Sequence, residues 1–230
     1  MGECRVKSIR WRHRGAAHEL WGWAVYARST TINGQPGSID VGIAHVAKEV
    51  LPTVMAVDGC IGLSMMVDRA SGKSIATTAW STEDAMRESV NQVGPIRTRA
   101  AEILGGTPDV AEWEIAVMHR EHPTHAGACV RTAWLQVALD GIDTVIDIYK
   151  NDALPQLDLL DGFCSASFMV NRATGRLTSS ACFESRAALD AARDAQTRIR
   201  TAGVAKGNAA VLDVGEFELA LAHLRVPELA

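Results

Sequence analysis

Two arginines, Arg28 and Arg131, each stand in the middle of an otherwise apolar run, 103 residues apart. A guanidinium among apolar side chains needs a partner, because desolvating an unpaired charge is expensive. Two kinds of partner are open. Glu112, Glu114, Glu216 and Glu218 recur at matched positions late in each half and could form structural ion pairs between the halves. Alternatively, each planar guanidinium fork could hold a carboxylate or enolate oxygen of a ligand. Two histidines, His119 and His223, are also matched; an imidazole can accept a proton from a substrate at neutral pH, or simply cap a strand end. The run His119-x-x-His122-x-x-His125, with Glu121 and Cys129 close by, offers metal-ligand types. Pro123 interrupts regular geometry there and no second ligand cluster accompanies it, so a solvated linker without a metal is expected.

These matched positions belong to a repeat of the whole unit. Asp58–Met66 (D-G-C-I-G-L-S-M-M) lies over Asp161–Met169 (D-G-F-C-S-A-S-F-M), and both continue as V-[DN]-R-A-[ST]-G-[KR]. At the same offset Asp40 meets Asp143, Leu51-Pro52 meets Leu154-Pro155, and Ile96-Arg97-Thr98 meets Ile199-Arg200-Thr201. One inserted residue later, D-V-A-E-W-E-I-A-V-M-H ending at His119 lies over D-V-G-E-F-E-L-A-L-A-H ending at His223. The organisation expected is a flexible extension over residues 1–22, a first repeat over 23–120 and a second over 121–230.

Each repeat alternates strand and helix periodicities. Trp23–Ile32 is rich in β-branched and aromatic residues and ends at Asn33-Gly34 and Pro36-Gly37. Ile39, Ile43, Val46 and Val50 share one helical face behind Ser38 as N-cap, and Ile142, Ile146, Tyr149 and Ala153 repeat the stripe. Ile61–Asp68 and Lys73–Trp80 flank a glycine-containing turn and predict a hairpin, as do Phe163–Asn171 and Arg176–Phe183. A helix follows each hairpin, the first expected to break at Pro95. A last strand, Val110–His119 or Val214–His223, closes the unit. The reading is α+β: tandem ferredoxin-like, split-βαβ repeats, each with a bare sheet face that its twin must cover.

Composition narrows the partners. With 47% hydrophobic and 22% charged residues and a net charge of −4, the chain has no basic footprint for phosphate contacts, which argues against nucleic acid. No apolar run is long enough to span a bilayer, and five cysteines without a C-x-x-C spacing fit thiols in a reducing, cytoplasmic compartment. Nucleotide, acyl-transfer and zinc-protease signatures are missing.

At A-W-S-T-E-D-A-M (Ala79–Met86), preceded by the D-G-C-I-G-L strand, and at C-F-E-S-R-A-A-L (Cys182–Leu189), the sequence resembles the antibiotic-biosynthesis-monooxygenase-like family of dimeric α+β barrels. It resembles more closely a group of conserved mycobacterial proteins sharing the ending E-F-E-L-A-[LI]-A-H-L-R-V-P-E-L. The resemblance, over residues 23–230, implies an intramolecular version of the dimeric barrel with a cavity between sheet and helices in each half. It implies that Trp80 and Phe183 face those cavities, where Trp80 could stack on a planar ligand or simply fill the core; by strand alternation Trp113 and Phe217 are core, lobe-interface or substrate-binding aromatics. Arg28, Arg131, His119 and His223 would be the catalytic candidates of a cofactor-independent oxygenase acting on a small hydrophobic, aromatic or polycyclic ligand. The haem-degrading members carry a histidine on the helix after the tryptophan, where this chain has Val90, Asn91 and Gln92, so no haem or other cofactor is expected. The alternative is a non-catalytic stress or regulatory protein using the barrel to bind a metabolite or to assemble, for instance as a homodimer.

Overall fold

The computed structural model describes residues 24–124 and 127–230; the expected extension over 1–22, together with Trp23 and His125, lies outside the described residues. The first half runs β1 (Val25–Asn33), α1 (Ile39–His45), a π turn (Val46–Val50), α2 (Leu51–Met55), β2 (Cys60–Asp68), β3 (Lys73–Trp80), α3 (Glu83–Glu88), α4 (Val90–Leu104) and β4 (Pro108–Arg120). The second runs β5 (Cys129–Gln136), α5 (Ile142–Ile148), a π turn (Tyr149–Ala153), α6 (Leu154–Leu157), β6 (Phe163–Asn171), β7 (Arg176–Phe183), α7 (Arg186–Lys206) and β8 (Ala210–Leu224).

The eight strands form one closed antiparallel barrel in the order β1-β3-β2-β8-β5-β7-β6-β4. Cut between β2 and β8 and between β6 and β4, it becomes two four-stranded sheets, β4-β1-β3-β2 and β8-β5-β7-β6, each in ferredoxin-like order. The two lobes therefore meet along strand edges as well as face to face, and closure leaves no edge unpaired. Helices cover the outside of each sheet. The core accordingly falls into two helix-side clusters, one per lobe, and smaller clusters within the barrel.

Matched residues build matched joints. Gly72 and Gly175 take φ of +78° and +71° in the hairpin turns. Each carbonyl accepts from the backbone of the loop after the preceding strand, Gly34 N–H at 3.1 Å and Val137 N–H at 3.0 Å. A Cβ would lie 2.5 Å from the Gly34 oxygen in one and 2.2 Å from the Val137 oxygen in the other, so only glycine fits. Arg69 bridges Asp40 in its own lobe to Glu218 on β8, and Arg172 bridges Asp143 to Glu114 on β4. These two matched ion-pair bridges join the lobes, together with Lys73–Asp213 at 3.7 Å.

Three local expectations need correction. Ser38 makes no side-chain cap; it ends a 3-10 turn that leads into α1. The stripe helix of each lobe contains a π turn where Leu51-Pro52 or Leu154-Pro155 approaches, because proline cannot donate the next hydrogen bond. The helix after the first hairpin does not break at Pro95, which α4 accommodates, but at Ser89, between α3 and α4. In the second lobe α7 runs unbroken for 21 residues. No helix among the described residues is long and apolar enough to cross a membrane.

Candidate functional site

Each lobe has a cavity between its sheet and its helices, and β1 or β5 sends its central arginine toward that side. In the first lobe Arg28 is only 2% exposed. Its guanidinium donates to Glu112 Oε1 at 3.0 and 2.7 Å, to Ser89 Oγ at 2.8 Å and to the Met86 carbonyl at 2.6 Å. The helix break supplies two of these acceptors: the chain turns at Ser89, and the freed Met86 carbonyl accepts from both Arg28 and the Ser89 hydroxyl. The cavity left beside it has a volume of about 50 Å³ and is walled by aliphatic residues such as Val46, Val93 and Leu63, with Arg97 at its side.

The second lobe uses the same skeleton differently. Helix α7 is continuous, Ala192 replaces Ser89, and Arg131 donates only to the Arg193 carbonyl, at 2.8 Å. Glu216, the counterpart of Glu112, stays 3.8 Å from Arg131 Nε. It is held instead by Arg186, at 2.7 Å, and by Arg193, at 2.9 Å. Hydrogen bonds from Arg193, and then from Arg186, hold its carboxyl below the usual range against the opposing effect of burial. In the first lobe Glu83 and Val90 occupy the positions of those two arginines, so nothing competes for Glu112.

The second cavity, of about 70 Å³, is lined by Arg131, Tyr149, Ser179, Gln196 and Arg200 among aliphatic residues and Phe168. Tyr149 stacks on Phe168 with centroids 4.4 Å apart. Arg131 Nε, Gln196 Nε2 and Tyr149 Oη are buried without completing a hydrogen bond, although Ser179 lies close enough to Tyr149 to interact with it. Burial pushes the Tyr149 phenol up to about 12, so it remains a donor. Burial lowers both Arg131 and Arg200; nearby Glu216 works the other way on Arg131, while a neighbouring guanidinium, Arg193 for Arg131 and Arg131 for Arg200, adds to the lowering. No carboxylate or imidazole lines this cavity.

The remaining candidates lie elsewhere. Trp80 and Phe183 are fully buried in the helix-side cores; Trp80 Nε1 donates to Thr78 Oγ1 at 2.9 Å, and Phe183 packs edge-on to Phe163. Neither lines a lobe cavity. Trp113 donates to Ser29 Oγ and Phe217 packs on Trp134, both within the barrel. His223 is exposed near the end of β8. His119 sits outside the lobe cavities, with Nδ1 on Glu228 at 2.7 Å and Nε2 on Asp158 at 3.0 Å. Burial works against its charge, but the two carboxylates outweigh it and raise its pKa. His119, Glu121 and Asp158 could offer atoms within 4.8 Å of one another, though both imidazole nitrogens are already engaged. A third cavity, of about 340 Å³, lies inside the barrel, lined by Ser64, Thr77, Ser165, Ser167 and Ser180 with Met66 and Met169, and by Arg120 and His122.

No family model matches the chain. The chain is 54% identical over 208 residues to the Mycobacterium tuberculosis protein Rv2557, described as uncharacterized, covering 90% of this chain and 93% of that one. This chain belongs to the Rv2557 family. Among solved structures, an anthrone oxidase-like protein superposes with a TM-score of 0.66 at 12% identity, covering 91% of this chain and 97% of its own. A ferredoxin-fold protein of Listeria monocytogenes, related to antibiotic biosynthesis monooxygenases, gives 0.50 at 10% identity, covering 87% and 98%. The Rv2557 family thus has the fold of the monooxygenase-like dimeric α+β barrels. Its second cavity rests on residues that do not stand out in this sequence. A single arginine on an amphipathic helix, as at Arg97 or Arg200, is ordinary. The signal lay in the repeat, where Tyr149 and Gln196 replace Val46 and Val93 in otherwise matched apolar stripes.

Proposed function

We propose that the chain binds a small, mainly apolar molecule in the second-lobe cavity and acts as a cofactor-independent, monooxygenase-like protein on an aromatic substrate. The observation that carries this is the uncommitted Arg131 at the wall of an otherwise apolar cavity. An electron-rich arene reacts with oxygen most readily as its anion, and a guanidinium without a carboxylate hydrogen bond stabilises that anion where water is excluded. In such a reaction a ring-activated methylene becomes a carbonyl and the second oxygen atom leaves as water. The cavity has room for roughly five water molecules, on the scale of one substituted ring. A tricyclic substrate would require α7 to move away from the sheet.

One feature favours a second reading, a binding protein without turnover. No base lines the cavity, and His119 and His223 lie outside it, so the substrate must arrive already deprotonated or pass its proton to a group that moves in. Oxygen uptake with single-ring quinols and with anthrone-like compounds tests the first reading: consumption that Arg131→Gln abolishes supports it, and binding without oxygen consumption leaves the second. We further propose that the chain works in the cytoplasm, where the cysteines among the described residues stay free, and as a homodimer, which light scattering checks.

A further inference from the structure

We infer that the second-lobe cavity selects a carboxylate: its ligand is a compact organic acid of about one ring, bound once per chain. This rests on the reading that the cavity binds a small molecule, and it adds the ligand's charge and anchoring group.

Arg131 on β5 presents a buried Nε–H, Gln196 on α7 a buried side-chain amide, and Tyr149 on the π turn a buried hydroxyl, none completing a hydrogen bond. Gln196 and Tyr149 are 6% and 7% exposed, so water does not readily satisfy them. Leaving such groups unpaired costs on the order of 1–3 kcal/mol each, which a chain tolerates where a ligand completes the set. Arg200 adds a second guanidinium to the same wall, with no ion pair among the described residues.

The chemistry of the set is one-sided. Two guanidiniums, an amide and a phenol that stays protonated point to acceptor oxygens and negative charge. Glu216 attracts Arg131 from 3.8 Å but does not hydrogen-bond it, because Arg186 and Arg193 hold its oxygens. Two acceptor oxygens on one planar group match donors arriving from three elements better than a single enolate oxygen does. The rest of the wall, including Leu135, Ile148 and Phe168, is apolar and takes the carbon skeleton. In the first lobe Arg28 is saturated, and Val46, Val93 and Ala76 stand where the second has Tyr149, Gln196 and Ser179. Arg97 Nε and Nη2 are buried there without a partner, but only the hydroxyls of Thr30, Ser74 and Thr78 accompany them, with no second free guanidinium, amide or phenol, which is why one site per chain is expected.

Calorimetric titration of the full chain with benzoate and with nitrobenzene, which has nearly the same shape without the charge, is the test. The expected result is one benzoate per chain, bound at least tenfold more tightly than nitrobenzene. Arg200→Gln should weaken benzoate about tenfold and leave nitrobenzene unchanged. Gln196→Val, which installs the first-lobe residue, should weaken it by about threefold. Thermal unfolding confirms that each variant is folded, and Tyr149→Val, also the first-lobe residue, replaces either one that is not. Equal affinity for the two ligands overturns the carboxylate inference and leaves the apolar-cavity reading intact. Binding of neither overturns both. Two benzoates per chain overturns the assignment to the second lobe.

Discussion

In the first lobe Glu112 closes on the buried Arg28; in the second, the matched Glu216 bonds to Arg186 and Arg193 instead, and Arg131 keeps donors to spare. The skeletons agree down to paired glycine turns and paired bridging arginines, so the difference comes from a few side chains. A repeat that folds twice needs its structural joints twice, but a binding site only once. With two copies on one chain, one lobe is free to convert its buried cation into a structural element while the other leaves it available. On the proposed function, the first lobe is the stabilising copy and the second the binding copy.

The largest effect should separate the two glutamates. Glu112→Ala strands a fully buried guanidinium and should destabilise the chain by about 3 kcal/mol, at the low end for a broken buried pair because Glu112 itself is half-exposed. Glu216→Ala frees two arginines that are themselves half-exposed and can be solvated, and should lower stability by about 1 kcal/mol. Chemical denaturation measures both, and equal losses would dissolve the distinction between the lobes. The parts that agree should respond alike. Gly72→Ala and Gly175→Ala each force a side chain into the left-handed region against a carbonyl, and each should cost about 2 kcal/mol. A large inequality there would mean the lobes differ in more than their cavities.

Next comes conversion of one lobe into the other. Arg186→Glu combined with Arg193→Val gives the second lobe the residues of the first at those positions and releases Glu216 toward Arg131. Benzoate affinity should then fall about tenfold with little change in stability. Unaltered affinity would show that Glu216 does not govern the site.

The duplication, the strand order and the need for covered sheet faces were legible because they are written in matched segments and in two-residue and helical periodicities. Closure of the barrel through β2–β8 and β6–β4 was less so, since no local pattern says which edges meet. Pro95 misled because proline's effect depends on whether its helix can bend around it, whereas the break at Ser89 depends on a hydroxyl and an arginine that meet only in the fold. Trp80 attracted attention by its size, yet its indole is satisfied by Thr78 two residues away. The uncommitted state of Arg131 could not be read at all. It follows from competition for Glu216 among three arginines brought together from β5 and α7.

The smallest expected effect concerns His119 and His223, matched in sequence but not in surroundings. His119 links β4 to Asp158 and to Glu228 in the C-terminal tail, where the Leu229 N–H also donates to the Met118 carbonyl and Arg120 Nη1 to the Val226 carbonyl. Its pKa in the folded chain is raised, so the folded state holds this proton more tightly than the unfolded one. The stabilisation is therefore fully present below the unfolded value of about 6.5 and disappears as pH climbs through the higher folded value. His119→Gln should cost about 1 kcal/mol at pH 6 and close to nothing at pH 9. His223→Gln, at an exposed position without such an anchor, should be within about 0.5 kcal/mol of the parent at both. Denaturation midpoints at the two pH values check this, and a pH-independent loss for His119→Gln would mean that the imidazole acts by packing on Phe163 and not by its charge.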